Sequence, residues 1–247
     1  MLLENKVAIV TGVTRGIGKA VLCRFAEEGA RVVGVYRSND DAASQVASLL
    51  RDRGLTAEFY KGSVNDRSFV SDMVHDVVDK YGRIDILVNN AGVVRDQLFT
   101  RMSLEEWDEV YSTNFLGTYL CTTAVLPHME RQGSGNVVSI VSITGVFGRE
   151  AQANYGASKG SIIGLMKLLG RKYAEKGIRF NAVAPGLIDT DMLNHVPAEK
   201  LDQFLRFTSL KRLGKTEEVA EAVLFLASDR SSYFSNDVVK IDGGFMR

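Results

Sequence analysis

Apolar and polar positions along this chain fall into two alternating kinds of segment. Lys6-Val-Ala-Ile-Val-Thr11 is a short apolar run that stops at Gly12, as a buried strand does. From Ile17 to Gly29 the apolar positions Ile17, Val21 and Phe25 recur at helical spacing, with Gly29 as the stop. The same alternation continues with a strand over Arg31–Tyr36, a helix over Asp41–Arg53, a strand over Thr56–Lys61 and a helix over Arg67–Tyr81. A fourth strand, Ile84–Asn89, precedes a long helical stretch that opens on the capping box Ser103-Leu-Glu-Glu106 and runs past Asn114 toward Met129. Asn136–Val141 reads as a fifth strand, Gln152–Lys176 as a helix, Ile178–Val183 as a sixth strand and Asp237–Ile241 as a seventh.

Strands that alternate with helices predict right-handed crossover units and a parallel sheet. Near-continuous apolar strands fit a sheet covered on both faces. The expectation is a single α/β domain over residues 1–247, a Rossmann-type, doubly wound parallel sheet of seven strands with helices on both faces. No internal repeat, linker or low-complexity stretch breaks it. One irregular region, Gly186 to about Lys215, follows the sixth strand. It would lie at the carboxyl edge, where such sheets bind ligands, and its length suits a lid over roughly residues 187–215.

Composition narrows the function classes. Lys+Arg and Asp+Glu number 30 each, which argues against a general nucleic-acid or anionic-membrane binder. The two cysteines, Cys23 and Cys121, sit in helical patterns far apart and read as buried thiols. No apolar run reaches the ~18 residues of a membrane span. The apolar strand begins too early to leave room for a signal peptide, so the cytoplasm is expected. His75, His128 and His195 show no metal-ligand spacing, and no metal is expected.

The first strand runs into Thr11-Gly-Val-Thr-Arg-Gly-Ile-Gly18 and then a helix. Glycines at 12, 16 and 18 allow a tight turn that presents backbone N–H groups and a helix N-terminus to a diphosphate. A glycine triplet alone is a weak signal; its place after the first strand makes it a candidate dinucleotide loop of Gly12, Thr14, Arg15, Gly16, Ile17 and Gly18. Sites that prefer NAD carry an acid at the end of the second strand. Here that strand ends Val35-Tyr36-Arg37-Ser38-Asn39, with Asp40 and Asp41 later. Arg15 and Arg37 could hold a 2′-phosphate, which points to NADP(H); the alternative is that both are solvated surface residues.

Tyr155-Gly-Ala-Ser-Lys159 puts a phenol and an ammonium on one face of a helix. A lysine charge there would lower the tyrosine pKa and suit it to proton exchange with a carbonyl oxygen. Ser142, at the end of the fifth strand, could bond the same oxygen. Asn114 stands in mid-helix, where asparagine is a poor former. Each alone has an ordinary structural explanation; the four together are much harder to explain as chance.

With these residues in hand, the sequence resembles the short-chain dehydrogenase/reductase family over essentially its whole length. The matches are Thr11–Gly18, Asn89-Asn-Ala-Gly92, Asn114, Ser142, Tyr155-x-x-x-Lys159, and Pro185-Gly186 with Thr190. The resemblance implies a catalytic tetrad of Asn114, Ser142, Tyr155 and Lys159, with Asn114 holding a water in a proton relay through Lys159. It also implies that Asn89, Ala91 and Gly92 line the adenosine side, that Ser63 and Val64 lie at the adenine, and that Pro185, Gly186, Ile188 and Thr190 lie against the nicotinamide. Within the family, Asn89–Asp96, Gln152–Tyr155, Val183–Met192 and Asp242-Gly-Gly244 look like the 3-oxoacyl-[acyl-carrier-protein] reductase branch. That implies a substrate site of Ser142, Gln152 and Tyr155, a small-molecule or carrier-bound acyl substrate, and acyl carrier protein docking near Arg131 and Lys176. A ketoreductase for a polyketide, steroid or sugar ketone and a non-catalytic NADP(H)-binding scaffold are the alternatives.

Two further expectations concern the lid and assembly. His195 is either a substrate contact or an exposed loop residue, and Met192, Phe204, Phe207 and Leu210 form either an acyl wall or the packing that holds the lid down. Ile162, Ile163, Leu165, Met166, Leu168 and Leu169 surround much of the catalytic helix, which therefore needs cover on more than one side. With the family resemblance, this points to a homotetramer.

Overall fold

Seven strands, β1 (Val7–Thr11), β2 (Arg31–Tyr36), β3 (Ala57–Lys61), β4 (Ile86–Asn89), β5 (Gly135–Ile140), β6 (Ile178–Pro185) and β7 (Val238–Ile241), form one sheet in the order β3-β2-β1-β4-β5-β6-β7. Every pairing is parallel. The structure, a computed structural model, describes residues 1–193 and 196–245, without the side chains of Met192 and Ala198.

Strand parity explains why the apolar runs are continuous. In β1, Ala8 and Val10 enter one core while Val7 and Ile9 enter the other. Ile86 and Val88 of β4 likewise face the first core and Leu87 the second. Successive side chains point to opposite faces, so a strand covered on both needs apolar residues throughout. Helices α1 (Gly16–Glu27), α2 (Asp40–Asp52) and α9 (Thr216–Ala227) supply buried residues to the first core. Helices α3 (Arg67–Tyr81), α5 (Gly117–Gln132) and α7 (Ala153–Tyr173) supply the second. The crossover direction reverses between β1 and β4, which opens a crevice at their carboxyl ends.

Four features depart from the pattern read along the chain. The long helix from Ser103 is α4 (Leu104–Tyr111), a π-helical turn over Ser112–Leu116, and then α5. The helix over Gln152–Lys176 ends at Tyr173 and tightens into a 3₁₀ turn over Ala174–Lys176. A short helix, α6 (Ile143–Phe147), stands between β5 and α7. Helix α9 was not anticipated, although Val219, Ala220, Val223, Leu224 and Ala227 have helical spacing and are buried.

The predicted lid has structure of its own, including α8 (Ala198–Leu205). Its near end is tied by Asp189 N–H to Gly214 O and Gly214 N–H to Leu187 O, at 2.8 and 2.9 Å. Its far end is tied to the C-terminal segment by Leu210 N–H to Gly243 O at 3.1 Å. Phe204 packs under the Arg149 guanidinium, 4.3 Å from the ring centre, whereas Phe207 and Leu210 are exposed. His195 and the Met192 side chain lie outside the described residues.

Candidate active site

The glycine turn after β1 is tied to the end of β4. Thr11 Oγ1 accepts from Asn90 N–H and Ala91 N–H, both at 3.0 Å, and donates to Val88 O at 3.3 Å. Asn90 Nδ2 donates to Thr11 O and Gly12 O at 2.8 and 3.0 Å. Gly12 has a φ of +75°, and a Cβ there would lie 2.9 Å from Ala91 Cα. A Cβ at Gly18 would strike Gly12 O and Asn90 Nδ2. At Gly16 a Cβ would meet Thr190 Cγ2 at 3.5 Å, so the segment after β6 reaches across to this loop. Glycine therefore keeps open a cradle bounded by backbone, the form a diphosphate site requires.

Asn89 and Asn90 do different things. Asn89 shares strand parity with Leu87, so its side chain turns into the helical layer. There Nδ2 donates to Thr122 Oγ1 at 3.1 Å and Ser139 Oγ at 3.4 Å. Expected on the adenosine side, Asn89 offers the crevice its backbone only, and the neighbour passed over in the sequence holds the loop. Val64 is buried against Gly117, and Ser63 Oγ donates to Asn65 Oδ1. Gly186, after Pro185, packs against Asp242 Cα, and Ile188 bridges to Gly214.

Arg15 and Arg37 are exposed, and neither forms an ion pair among the described residues. Asp40, the first acid after β2, is already engaged by Lys61 Nζ at 2.6 Å and by Tyr36 Oη at 3.0 Å. The edge beyond β2 therefore presents guanidinium groups and an acid whose charge is countered.

The four expected catalytic residues come together from three elements. Ser142 precedes α6; its Oγ accepts Thr144 N–H at 3.1 Å and lies close enough to the Tyr155 phenol to favour its ionised form. Tyr155 stands in the first turns of α7, with Lys159 Nζ 5.6 Å from its ring centre. Lys159 is buried and donates to Ile140 O at 2.8 Å, which leaves two of its three donors available. Gly145 leaves room for the lysine stem, since a Cβ there would lie 2.7 Å from Lys159 Cβ. Gly92 lies between Asn114 Oδ1 and Lys159 Nζ, which a Cβ at that position would approach to 3.1 and 3.6 Å.

Asn114 occupies the π turn, a feature that often marks functional sites. Its Oδ1 accepts Val93 N–H at 2.8 Å, and its Nδ2 donates to Val93 O and Ser158 Oγ, both at 3.1 Å. Ser158 Oγ in turn donates to Tyr155 O at 2.8 Å. The Asn114 side chain thus braces the loop after β4 against α7. Asn154 and Ser158, both fully buried and not singled out in the sequence, complete this brace; Asn154 Nδ2 donates to Arg95 O and Glu106 O. Their spacing of one helical turn was the available signal.

Electrostatics corrects one expectation. Burial pushes the Tyr155 phenol up to about 12, the Ser142 hydrogen bond draws it down, and the Asp96 charge raises it. Burial also pulls the Lys159 ammonium down to about 8. Loss of hydration, and not the Lys159 charge expected from their spacing, sets the direction of the Tyr155 shift. Near neutral pH the site therefore holds a protonated phenol beside a mostly protonated lysine. That is the state a proton donor needs.

Gln152, expected against substrate, uses both ends of its amide within the protein. Oε1 accepts Thr144 Oγ1 at 3.1 Å, and Nε2 donates to the two Asp96 oxygens at 3.0 and 3.1 Å.

Comparison with known proteins agrees with this geometry. The model of a family described as enoyl-(acyl carrier protein) reductase matches residues 12–246. The 3-oxoacyl-[acyl-carrier-protein] reductase FabG of Thermotoga maritima is 43% identical, with all of both chains covered. That of Staphylococcus epidermidis is 40% identical over 97% of this chain and 98% of its own. A 3-oxoacyl-[acyl-carrier-protein] reductase of Synechocystis is also 40% identical, over 99% and 98%. The chain belongs to the short-chain dehydrogenase/reductase family, oxidoreductases that work with a nicotinamide dinucleotide.

Proposed function

We propose that this chain uses NADPH to reduce a 3-oxoacyl thioester, carried by acyl carrier protein or CoA, to the 3-hydroxyacyl product. The observation that carries the reading is the Ser142–Tyr155 pair, with its protonated phenol, beside the glycine cradle. The names of the relatives support the substrate class.

The cradle of Gly12, Thr14, Arg15, Gly16, Ile17 and Gly18 fits a dinucleotide diphosphate, with the Asn89–Gly92 backbone, Ser63 and Val64 toward the adenosine. Pro185, Gly186, Ile188 and Thr190 border the other end. Arg15 and Arg37 select the 2′-phosphate, because Asp40 is already paired and a guanidinium binds phosphate bidentately. When bound, NADPH supplies the hydride. Ser142 holds the substrate carbonyl oxygen, and Tyr155 donates its proton to that oxygen as negative charge develops there. The Lys159 ammonium stabilises the phenolate left behind, and its free donors suit the ribose hydroxyls.

Exposed apolar side chains support a homotetramer. Leu168 of α7 is 63% exposed, and Tyr233 and Phe234 stand open at the other side of the chain near α9. No described helix is long and apolar enough to cross a membrane.

The test follows NADPH absorbance with acetoacetyl-CoA and with acetoacetyl carrier protein, repeated with NADH and with Tyr155→Phe. The expected result is NADPH oxidation that is faster with the carrier protein, slower with NADH and absent in a variant that still binds NADPH. A 2-enoyl thioester is the control, since the family's description refers to enoyl reduction. Turnover of the enoyl substrate alone, or unchanged kcat in Tyr155→Phe, would overturn the proposal.

A further inference from the structure

The loop after β4 is clamped to the start of the catalytic helix at three successive residues. Arg95 O accepts Asn154 Nδ2 at 3.1 Å, Asp96 accepts Gln152 Nε2, and Gln97 N–H donates to Ala151 O at 2.9 Å. Two of these contacts use backbone from the loop. Asp96 alone uses a charged side chain, although it lies at the surface, where a carboxylate could remain solvated at no cost.

A chain of hydrogen bonds leads inward from that carboxylate. Both Asp96 oxygens accept from Gln152 Nε2, at 3.0 and 3.1 Å. An amide is polar at two ends with opposite roles, so fixing Nε2 on an acceptor fixes Oε1 as an acceptor facing the other way. Oε1 takes the Thr144 hydroxyl at 3.1 Å, and Thr144 N–H is donated to Ser142 Oγ at 3.1 Å. Gln152 and Thr144 are both buried, so each would be left with an unmet polar group if its neighbour turned away. Ser142 Oγ accepts from Thr144, and its own proton remains free for the Tyr155 side of the cleft.

We propose that Asp96 is a positioning residue for the reduction: through Gln152 and Thr144 it holds Ser142 and Tyr155 in the arrangement that receives the carbonyl oxygen. The inference rests on the roles given above to Ser142 and Tyr155. It assigns Gln152 to this chain instead of to substrate. The charged groups facing Tyr155 are Asp96 from the β4 loop and Lys159 from its own helix, with Ser142 as the neutral partner. Asp96 therefore also acts on the phenol by charge, opposing its ionisation.

The experiment compares Asp96→Ala and Asp96→Asn with wild type. Asp96→Ala removes the acceptor that fixes Gln152, and kcat for the 3-oxoacyl thioester falls about 10- to 100-fold, with KM for NADPH within about twofold. Asp96→Asn retains an acceptor oxygen and restores kcat to within about threefold of wild type. Unchanged kcat in Asp96→Ala, equal loss in the two variants, or a loss confined to NADPH binding overturns the proposal. A second readout needs no substrate: tyrosinate absorbance titrations of wild type and Asp96→Ala, each referred to its Tyr155→Phe counterpart. Removing Asp96 lowers the Tyr155 midpoint, and an unmoved midpoint overturns the proposal. If wild type turns over no thioester, the proposed function fails while this titration still tests whether Asp96 acts on Tyr155.

Discussion

Replacing Lys159 by methionine separates what the fold needs from what the chemistry needs. Lowering the ammonium from 10.5 to about 8 corresponds to about 3 kcal/mol of unfavourable charge burial near pH 7. Methionine removes that cost and fills similar space beside Gly145. It also takes from Ile140 O the 2.8 Å bond to Nζ, a loss of about 1–3 kcal/mol. The two effects offset, so near pH 7 Lys159→Met is expected to be as stable as wild type or more so by up to about 2 kcal/mol, while kcat falls by about 10²–10⁴. The pH dependence carries the sharper expectation. Between about pH 8 and the ordinary lysine value the unfolded chain holds a proton that the folded chain has released. Wild-type stability therefore gains from this site as pH rises through that window. The variant lacks this gain, so the difference shifts by about 2 kcal/mol in favour of wild type between about pH 7 and about pH 9.5. Urea unfolding of both proteins at the two pH values, at one protein concentration, measures it. A difference that does not change with pH refutes the charge-burial account.

Three other outcomes follow from the site. Arg37→Asp weakens NADPH by about ten- to hundredfold and leaves NADH nearly unchanged, as measured by nucleotide fluorescence titration; equal losses count against the 2′-phosphate reading. Asn90→Ala leaves Thr11 O and Gly12 O without their side-chain donor; it lowers stability by about 1–3 kcal/mol and raises the NADPH Kd, read by thermal melting with and without nucleotide. For reduction, kcat/KM falls as pH rises past about 8, where Lys159 loses its proton; a flat profile through that range contradicts its role.

The sheet was legible because its strands are buried on both faces, so Val7–Thr11 and Ile86–Leu87-Val88 read as unbroken apolar runs. The glycine loop and the tyrosine–lysine pair were legible because their spacing expresses a geometric need. The division of labour between Asn89 and Asn90 was less plain, since two adjacent asparagines look equivalent in one dimension. Strand parity separates them, placing Asn89 with Leu87 and leaving Asn90 at the turn. The state of Tyr155 was not legible at all. Spacing shows that Lys159 is near, but only the packed structure shows that both groups lose hydration together. Helix α9 was less plain because it follows directly on the irregular segment, although its apolar positions carry the helical period.

The π turn at Ser112–Leu116 also sets a phase. One residue more than α-helical winding needs is accommodated there, and each helical residue advances about 100° around the axis. The face that α4 presents is therefore out of step with the face of α5 by about that angle. Deleting one residue from the turn would restore regular winding yet rotate every side chain of α5 relative to the sheet, carrying Cys121, Val125 and Met129 out of the second core. The segment between Tyr111 and Gly117 thus behaves like a spacer whose length is counted in residues, and substitutions within it are better tolerated than any change in their number.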